Sequence, residues 1–256
     1  MSTSHDPALQ VAAGNPWYVS DQFADQMGTP AGRKLVEGRW AAFGTAIAKW
    51  SDGYRGGEPL RMLDAGCGDG INLVGLRGII RTMTRPVALF GCDYNGTRIN
   101  TAAKLEGLSG LYLASLLGCP LRDETYDLVL CNHVIEHIRE DDVALRELAR
   151  ILRPSGMLVL GVPNEGCSMA QLRNGVLQPS IARATDHVQF YTSGSLQQRT
   201  RAAGFKTLSI RREGFFTPHM RLNALLGTAA GRALLDTLGA ILPSQAAGLT
   251  AFLTKA

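Results

Sequence analysis

Residues Arg61 to Gly70 (Arg-Met-Leu-Asp-Ala-Gly-Cys-Gly-Asp-Gly) constrain the fold more than any other part of the chain. A short apolar strand (Met62, Leu63) runs into a carboxylate, Asp64. A turn with glycine at 66, 68 and 70 follows, then an apolar segment from Ile71 to Leu76 that can open a helix. Glycine at alternate positions lets the backbone take positive φ and lets a ligand lie against bare main chain. Open α/β sheets bind nucleotides at such strand-to-helix turns, at the carboxyl ends of their strands. A dinucleotide fingerprint needs its third glycine at position 71, which is Ile71, and a phosphate loop needs a Lys after its glycines. Here a carboxylate precedes the glycines instead. A fixed anion suits a ligand with a positive end, such as an amino acid ammonium group, better than a pyrophosphate at close range.

A second element fits the first. Pro86 to Cys92 reads as an apolar strand ending in Asp93, and a carboxylate there can accept both hydroxyls of a ribose. Tyr94 and Asn95 follow, with no Arg for a 2′-phosphate. The pattern D-x-G-x-G-x-G with this downstream Asp resembles the cofactor loop of the class I S-adenosylmethionine (SAM) methyltransferases. The likeness continues through Leu111 to Ala114, Cys119-Pro-Leu, Tyr126 to Cys131, Ile151 to Asn164 and Phe190 to Lys206, covering about residues 60 to 212.

The resemblance implies an α/β, Rossmann-like fold: seven strands, mostly parallel with the last antiparallel, and helices on both faces. It implies SAM as cofactor and S-adenosylhomocysteine as product. Asp64, Gly66, Cys67 and Gly68 would hold the amino acid end and body of SAM, and Asp93 the ribose. Tyr94 and Leu116 would flank the adenine. Ser115 would bond the adenine edge, where relatives often carry Asp and a stronger, charged bond. Asn132 at the end of strand four and Arg39 on the first long helix complete the expected cofactor set, Arg39 reaching for the methionine carboxylate.

Length and composition agree with one large domain. At 256 residues and 45% apolar content, the chain can bury a sizeable core. The organisation expected is an N-terminal helical extension (1–58), a SAM-binding core (59–212) and a helical insertion with the final strand (213–256). The five cysteines (67, 92, 119, 131 and 167) are widely spaced and lack a C-x-x-C, which favours reduced core thiols over a disulfide or zinc framework. With no signal pattern and no long apolar run, a cytoplasmic protein without a transmembrane segment is expected. From Arg199 onward eight Lys or Arg face only Glu213 and Asp236, which reads as a solvated basic face because no dense run exists.

Chemistry centres on Cys131-Asn-His-Val-Ile-Glu-His137. Methyl transfer from a sulfonium needs alignment and, for a hydroxyl acceptor, removal of its proton. His137 is the first expectation for that base, His187 the second and His133 the third, histidine being the usual base near neutral pH. Spacings of three and four bring His133, Glu136 and His137 together on a helical turn. Some ubiquinone-biosynthesis O-methyltransferases and small-RNA 2′-O-methyltransferases carry E-x-x-E-H here and bind a divalent metal. This chain has H-x-x-E-H, and its Asp186-His187-x-x-Phe190 resembles the segment that adds a fourth ligand in the RNA enzymes. Imidazole in the first position shifts preference from Mg²⁺ toward Zn²⁺, Mn²⁺ or Fe²⁺, and metal-independent catalysis is expected.

The overall expectation is methyl transfer to a hydroxyl of a small sugar-containing, aromatic or lipid-like acceptor, with no nucleic-acid partner. One alternative is an RNA 2′-O-methyltransferase with a metal at His133, Glu136, His137 and His187. Another is a non-catalytic SAM-binding domain. The Leu-rich stretch from 218 to 241 is expected to be buried on the sheet edge as a substrate lid. Trp17-Tyr18 reads as a cofactor cap or a core anchor, Asn164 as a substrate ligand or a turn former, and His219 has no assigned role.

Overall fold

The computed structural model describes residues 21–180 and 186–256; Trp17 and Tyr18 lie outside them. The chain divides into two compact units, Met1–Leu130 and Cys131–Ala256.

In the first unit, α1 (Gln22–Met27) leads into α2 (Pro30–Gly53). Thr29 caps α2 by accepting a bond from the Gly32 amide at 3.0 Å, and Pro30 occupies the first turn, where its missing N–H is not needed. Val36, Phe43 and Ile47 recur at helical spacing and are buried. Next come β1 (Leu60–Ala65), α3 (Ile71–Ile80), β2 (Val87–Asp93), α4 (Gly96–Ala102), β3 (Gly110–Leu113) and β4 (Tyr126–Asn132), whose last two residues fall in the second unit. β1 is buried almost throughout because it is flanked on both sides. It pairs in parallel with β2 from Leu60↔Val87 to Ala65↔Cys92, and with β4 at Leu63↔Val129. That register brings the ends of β1 and β2 level, so the glycine turn and Asp93 leave the sheet side by side.

In the second unit, α5 (Asp141–Ile151) passes directly into β5 (Leu152–Pro163). Ser155, within β5, takes a left-handed φ of 60°. α6 (Ser168–Leu172), a π-turn (Arg173–Leu177), α7 (Ser193–Ala202), β6 (Phe205–Glu213), α8 (Met220–Leu225), α9 (Ala229–Ile241) and β7 (Gly248–Lys255) follow. β7 runs antiparallel to both β5 (Leu158↔Leu253) and β6 (Ile210↔Ala251). The strand order is β3-β2-β1-β4-β5-β7-β6: the mostly parallel, Rossmann-like seven-stranded sheet with an antiparallel last strand that the sequence implies.

The insertion departs from expectation. It is two helices, broken at Gly227-Thr228, and most of its leucines are not buried: Leu222, Leu225 and Leu234 are 40%, 77% and 49% exposed. Among the described residues of α9, only the Gly231, Leu235, Gly239 line is buried. The reason is backbone approach. A Cβ on Gly239 would stand 2.2 Å from the Gly214 carbonyl oxygen, so α9 approaches its neighbour closely along the narrow line of Gly231, Leu235 and Gly239 and leaves Leu234 outside.

Candidate active site

The first cluster lies wholly in the first unit. Gly66, Gly68 and Gly70 have φ of 80°, 52° and 94°, a region that penalises every residue with a Cβ. The Gly66 and Cys67 amides donate to the Cys92 carbonyl at 2.8 and 2.9 Å, which fastens the turn to the end of β2. The Gly68 amide donates to Asp93 Oδ2 at 2.9 Å, and the Asn95 amide to Asp93 Oδ1 at 2.8 Å. Asp93 therefore supports the loop as well as facing its mouth. The Ala114 amide donates to the Asp93 carbonyl at 2.9 Å, bringing Ser115 and Leu116 to the same rim. Ser115 Oγ accepts the Leu117 amide at 3.1 Å, and Leu116 is buried beside it. Tyr94 is half-buried directly after Asp93.

Asp64 is the exceptional residue. It is 0% exposed, and neither carboxylate oxygen has a hydrogen-bond partner among the described residues. Burial, with a smaller contribution from the Asp93 charge, pushes its carboxyl up to about 8. A buried, unpaired carboxylate is strongly unfavourable, so Asp64 is suited to a cationic partner. Asp93 is also held above the ordinary carboxylate range, by burial, although the Asn95 and Gly68 amides oppose the rise. Asp69 adds a third buried carboxylate and pairs with Arg98 at 3.7 Å. This concentration of buried carboxyl groups suits a ligand carrying both an ammonium and a sulfonium. Asp64's two orphaned oxygens and the bare glycine turn thus fit SAM. Arg39 sits half-buried on α2.

The second cluster lies wholly in the second unit. Asn132 ends β4, 7% exposed, and a Cβ on Gly161 would strike its Oδ1 at 2.1 Å. His133 takes a left-handed φ of 56° while its amide bonds the Gly161 carbonyl at 2.9 Å. That kink ends the strand and starts a short 3₁₀ turn, Ile135–His137. Because His133 lies before the turn, the single helical face expected for all three residues does not form. His133 Nδ1 instead meets Glu136 Oε1 at 3.1 Å, with its side chain 44% exposed.

His137 and His187 do come together, their rings 4.8 Å apart and edge-on at 71°. Each has Nδ1 against a carboxylate: His137 on Asp186 at 2.8 Å and His187 on Glu165 at 2.6 Å. Burial pushes the His137 imidazole down, but the Asp186 bond and the Glu136 and Asp186 charges outweigh it, and its pKa is raised. Asp186 is lowered, chiefly by the bond from His137. Burial pushes the Glu136 carboxyl up, yet His133 and His137 together hold it below the ordinary range. Glu136 Oε2 is buried without a partner among the described residues. One donor atom each from Glu136, His137 and His187 lie within 4.8 Å of one another.

Sequence reasoning did not single out Glu165. A lone Glu after a strand carries no spacing signal, and only the fold brings it to His187. Asn164, by contrast, is a tie: its Nδ2 donates to the Ser244 and Ala246 carbonyls at 3.0 and 2.7 Å. His219 caps α8, its Nδ1 accepting the Arg221 amide at 3.1 Å.

Comparison with known proteins identifies the family. A family model described as a methyltransferase domain matches residues 33–210. A probable S-adenosylmethionine-dependent methyltransferase of Mycobacterium tuberculosis is 33% identical over 40% of this chain and 35% of its own. A ubiquinone biosynthesis O-methyltransferase of Rhizobium johnstonii is 30% identical over 45% of this chain and 46% of its own. The chain thus matches less than half the length of these curated relatives. Among solved structures, a candidate sarcosine dimethylglycine methyltransferase from Galdieria sulphuraria superposes with a TM-score of 0.59 at 15% identity, covering 86% of this chain and 84% of that one. A SAM-dependent methyltransferase of Thermotoga maritima, described as a possible histamine N-methyltransferase, gives 0.54 at 19% identity, covering 87% and 92%. At such identities these two speak for the fold alone.

Proposed function

Because the chain belongs to the SAM-dependent methyltransferase family, we propose that it transfers a methyl group from SAM to a hydroxyl oxygen of a small sugar-containing, aromatic or lipid-like acceptor. The observation that carries the cofactor half is Asp64: a wholly buried carboxylate with both oxygens unpartnered, at the head of a bare glycine turn. In this reading Asp64 takes the ammonium, Gly66, Cys67 and Gly68 line the amino acid end, and Asp93 receives the ribose. Tyr94, Leu116 and Ser115 surround the adenine, with Arg39 at the periphery. SAM supplies an activated methyl on a sulfonium when bound. The chain's own residues then align the acceptor and take its proton.

The base assignment rests on His137. With Nδ1 on Asp186, its Nε2 is the nitrogen left to receive a proton. His187 stands second for the same reason, and His133, half-exposed and turned to Glu136, third. The oxygen acceptor draws support from the name of the Rhizobium relative and from the imidazoles, since an amine acceptor needs no such base when it binds neutral. The test is binding followed by transfer. Calorimetry should find micromolar SAM affinity, on the order of −8 kcal/mol. Labelled SAM should then pass its methyl to members of a panel of phenols, catechols, glycosides and isoprenoid phenols in preference to an RNA oligonucleotide. Tight NAD binding without SAM binding, or preference for the RNA, would overturn it.

A second reading is favoured by one observation: Glu136, His137 and His187 place their donors within 4.8 Å, with Glu136 Oε2 unpartnered. Two imidazoles and one carboxylate are a donor set for Zn²⁺, Mn²⁺ or Fe²⁺, and the carboxylates behind both rings match the outer shell that orients metal-bound histidines. A bound divalent ion would lower the proton affinity of an acceptor hydroxyl. His133 falls outside this trio. In the first reading prolonged chelation leaves turnover intact and elemental analysis finds less than one metal per chain. Loss of activity restored by Mn²⁺ or Zn²⁺ would replace that reading with the metal one.

A further inference from the structure

We propose that Glu165 is a positioning residue for His187: its carboxylate fixes the imidazole tautomer, so that Nε2 is presented bare. This rests on the reading above that His187 belongs to the working site, and it holds whether that nitrogen receives a proton or a metal ion. An ionised carboxylate only accepts hydrogen bonds, and a neutral imidazole has one N–H and one bare nitrogen. With Glu165 Oε2 at 2.6 Å from Nδ1, the hydrogen must sit on Nδ1, and Nε2 is left as the acceptor.

Glu165 is built to hold that geometry. It is 6% exposed, so water does not compete for its oxygens. Behind it, Arg173 approaches Glu165 Oε1 at 4.0 Å. Arg173 is itself fixed: its Nε donates to Asn174 Oδ1 at 2.9 Å, its Nη1 meets Met220 Sδ at 3.6 Å, and its guanidinium lies 4.1 Å above the Phe216 ring. Asp186, the partner of His137, is 30% exposed, so solvent shares that bond and the constraint is looser.

The Glu165 side chain is not needed merely to anchor the His187 segment. The Val188 and Gln189 amides already donate to the Glu136 carbonyl at 2.8 and 3.0 Å, and the Gly166 amide to the Tyr191 carbonyl at 2.8 Å. Backbone bonds hold the strand end and the segment together on their own. The additional buried, charge-assisted bond acts on the ring.

Nitrogen-15 NMR of the histidine-labelled protein tests the assignment without any acceptor. In the wild-type protein His187 should show Nδ1 protonated and Nε2 bare. In Glu165→Ala the ring should lose that fixed tautomer. Glu165→Gln, of the same shape, can turn its amide N–H toward Nδ1 and should move the hydrogen to Nε2. If the alanine variant does not fold, the isosteric glutamine variant decides. A wild-type ring protonated on Nε2, or an unchanged tautomer in the variants, overturns the proposal. Turnover in Glu165→Gln should fall about 10- to 100-fold, with the KM for SAM unchanged. Full turnover in His187→Ala would instead sink the assignment of His187 to the site, and it leaves the NMR result on Glu165 standing by itself.

Discussion

The two clusters handle buried charge in opposite ways. Around the glycine turn, Asp64 is buried with neither oxygen bonded. In the histidine cluster, every imidazole has a carboxylate: His133 has Glu136, His137 has Asp186 and His187 has Glu165. A buried ion without a partner is unfavourable unless a ligand supplies one. The first cluster is therefore incomplete in itself, as a cofactor-binding site must be. The second is nearly self-satisfied, and its pairings fix ring orientation and proton location, as a proton-accepting site requires. Glu136 Oε2 is the one atom that breaks this contrast, and it is the atom on which the metal reading turns.

The largest expected effect tests the second cluster. His137→Ala should lower the rate constant for transfer by about 10²- to 10⁴-fold, the usual share of a general base, with SAM affinity within about twofold. Single-turnover kinetics and calorimetry on the same preparation separate the two. A matching loss of SAM affinity would mean that the clusters are not independent. The next effect tests the first cluster. Asp64→Asn keeps the shape and removes the charge, and should weaken SAM by about 100-fold, or ~2.7 kcal/mol. Because it also removes an unpaired buried acid, the ligand-free variant should melt at a higher temperature than the wild type above neutral pH. A variant that binds SAM normally, or melts lower at every pH, would remove Asp64 from its role.

This contrast also separates what was legible in the sequence from what was not. The glycine turn, Asp64 and Asp93 were readable because cofactor loops are local: strand, turn and carboxylate lie within one βαβ stretch, and parallel register does the rest. The sheet was readable for the same reason, since buried parallel strands are continuous apolar runs. Of the carboxylates in the second cluster, Glu136 and Asp186 lie in the motifs the sequence offered, but Glu165 was not readable. Glu165 precedes His187 by 22 positions and meets it only through the path of the chain after β5. The helical grouping of His133 with His137 failed because His133 adopts φ 56°, a choice set by its tie to Gly161 rather than by side-chain spacing. The lid leucines were misjudged because helical periodicity says which residues share a face and not how close that face lies to its neighbour. On α9 glycines set that distance.

A smaller effect follows from the Asp64 proton. Its carboxyl is pushed up to about 8, from 3.8, by burial and then by Asp93. A folded-state value above the unfolded one means that the folded protein holds a proton the unfolded chain has released. The associated stability is fully present below pH about 4 and is lost as pH rises through about 8, at up to ~1.4 kcal/mol per pH unit. SAM's ammonium should expel that proton. Affinity for SAM should therefore rise up to tenfold per unit between pH about 6 and 7.5, above which an α-amino group begins to lose its own charge. Calorimetry in buffers of different ionisation enthalpy should register close to one proton released per SAM at pH 7. In Asp64→Asn both the slope and the released proton should vanish. A flat affinity profile in the wild type would mean that Asp64 is already ionised and partnered, and the contrast between the clusters would collapse.

The smallest expected effect lies at the adenine edge and bounds the contrast from below. Ser115 offers a neutral hydroxyl where relatives often carry a carboxylate, and its Oγ already accepts the Leu117 amide at 3.1 Å. One lone pair and the hydroxyl hydrogen remain for the adenine, so the bond there is uncharged and contributes about 0.5–1.5 kcal/mol. Ser115→Ala should weaken SAM by only about 3- to 10-fold, with no change in the pH slope, because no ionisable group is involved. The Leu117 amide it leaves is at the exposed rim, where water can take the place of Oγ, so stability should move by less than ~0.5 kcal/mol. Calorimetry on Ser115→Ala beside Asp93→Ala makes the comparison quantitative. Asp93 holds the Gly68 and Asn95 amides and, in the proposed reading, also faces the ribose, so its loss should exceed that of Ser115 by at least tenfold. Equal losses would mean that the adenine edge, and not the carboxylate pair Asp64 and Asp93, dominates recognition of the cofactor.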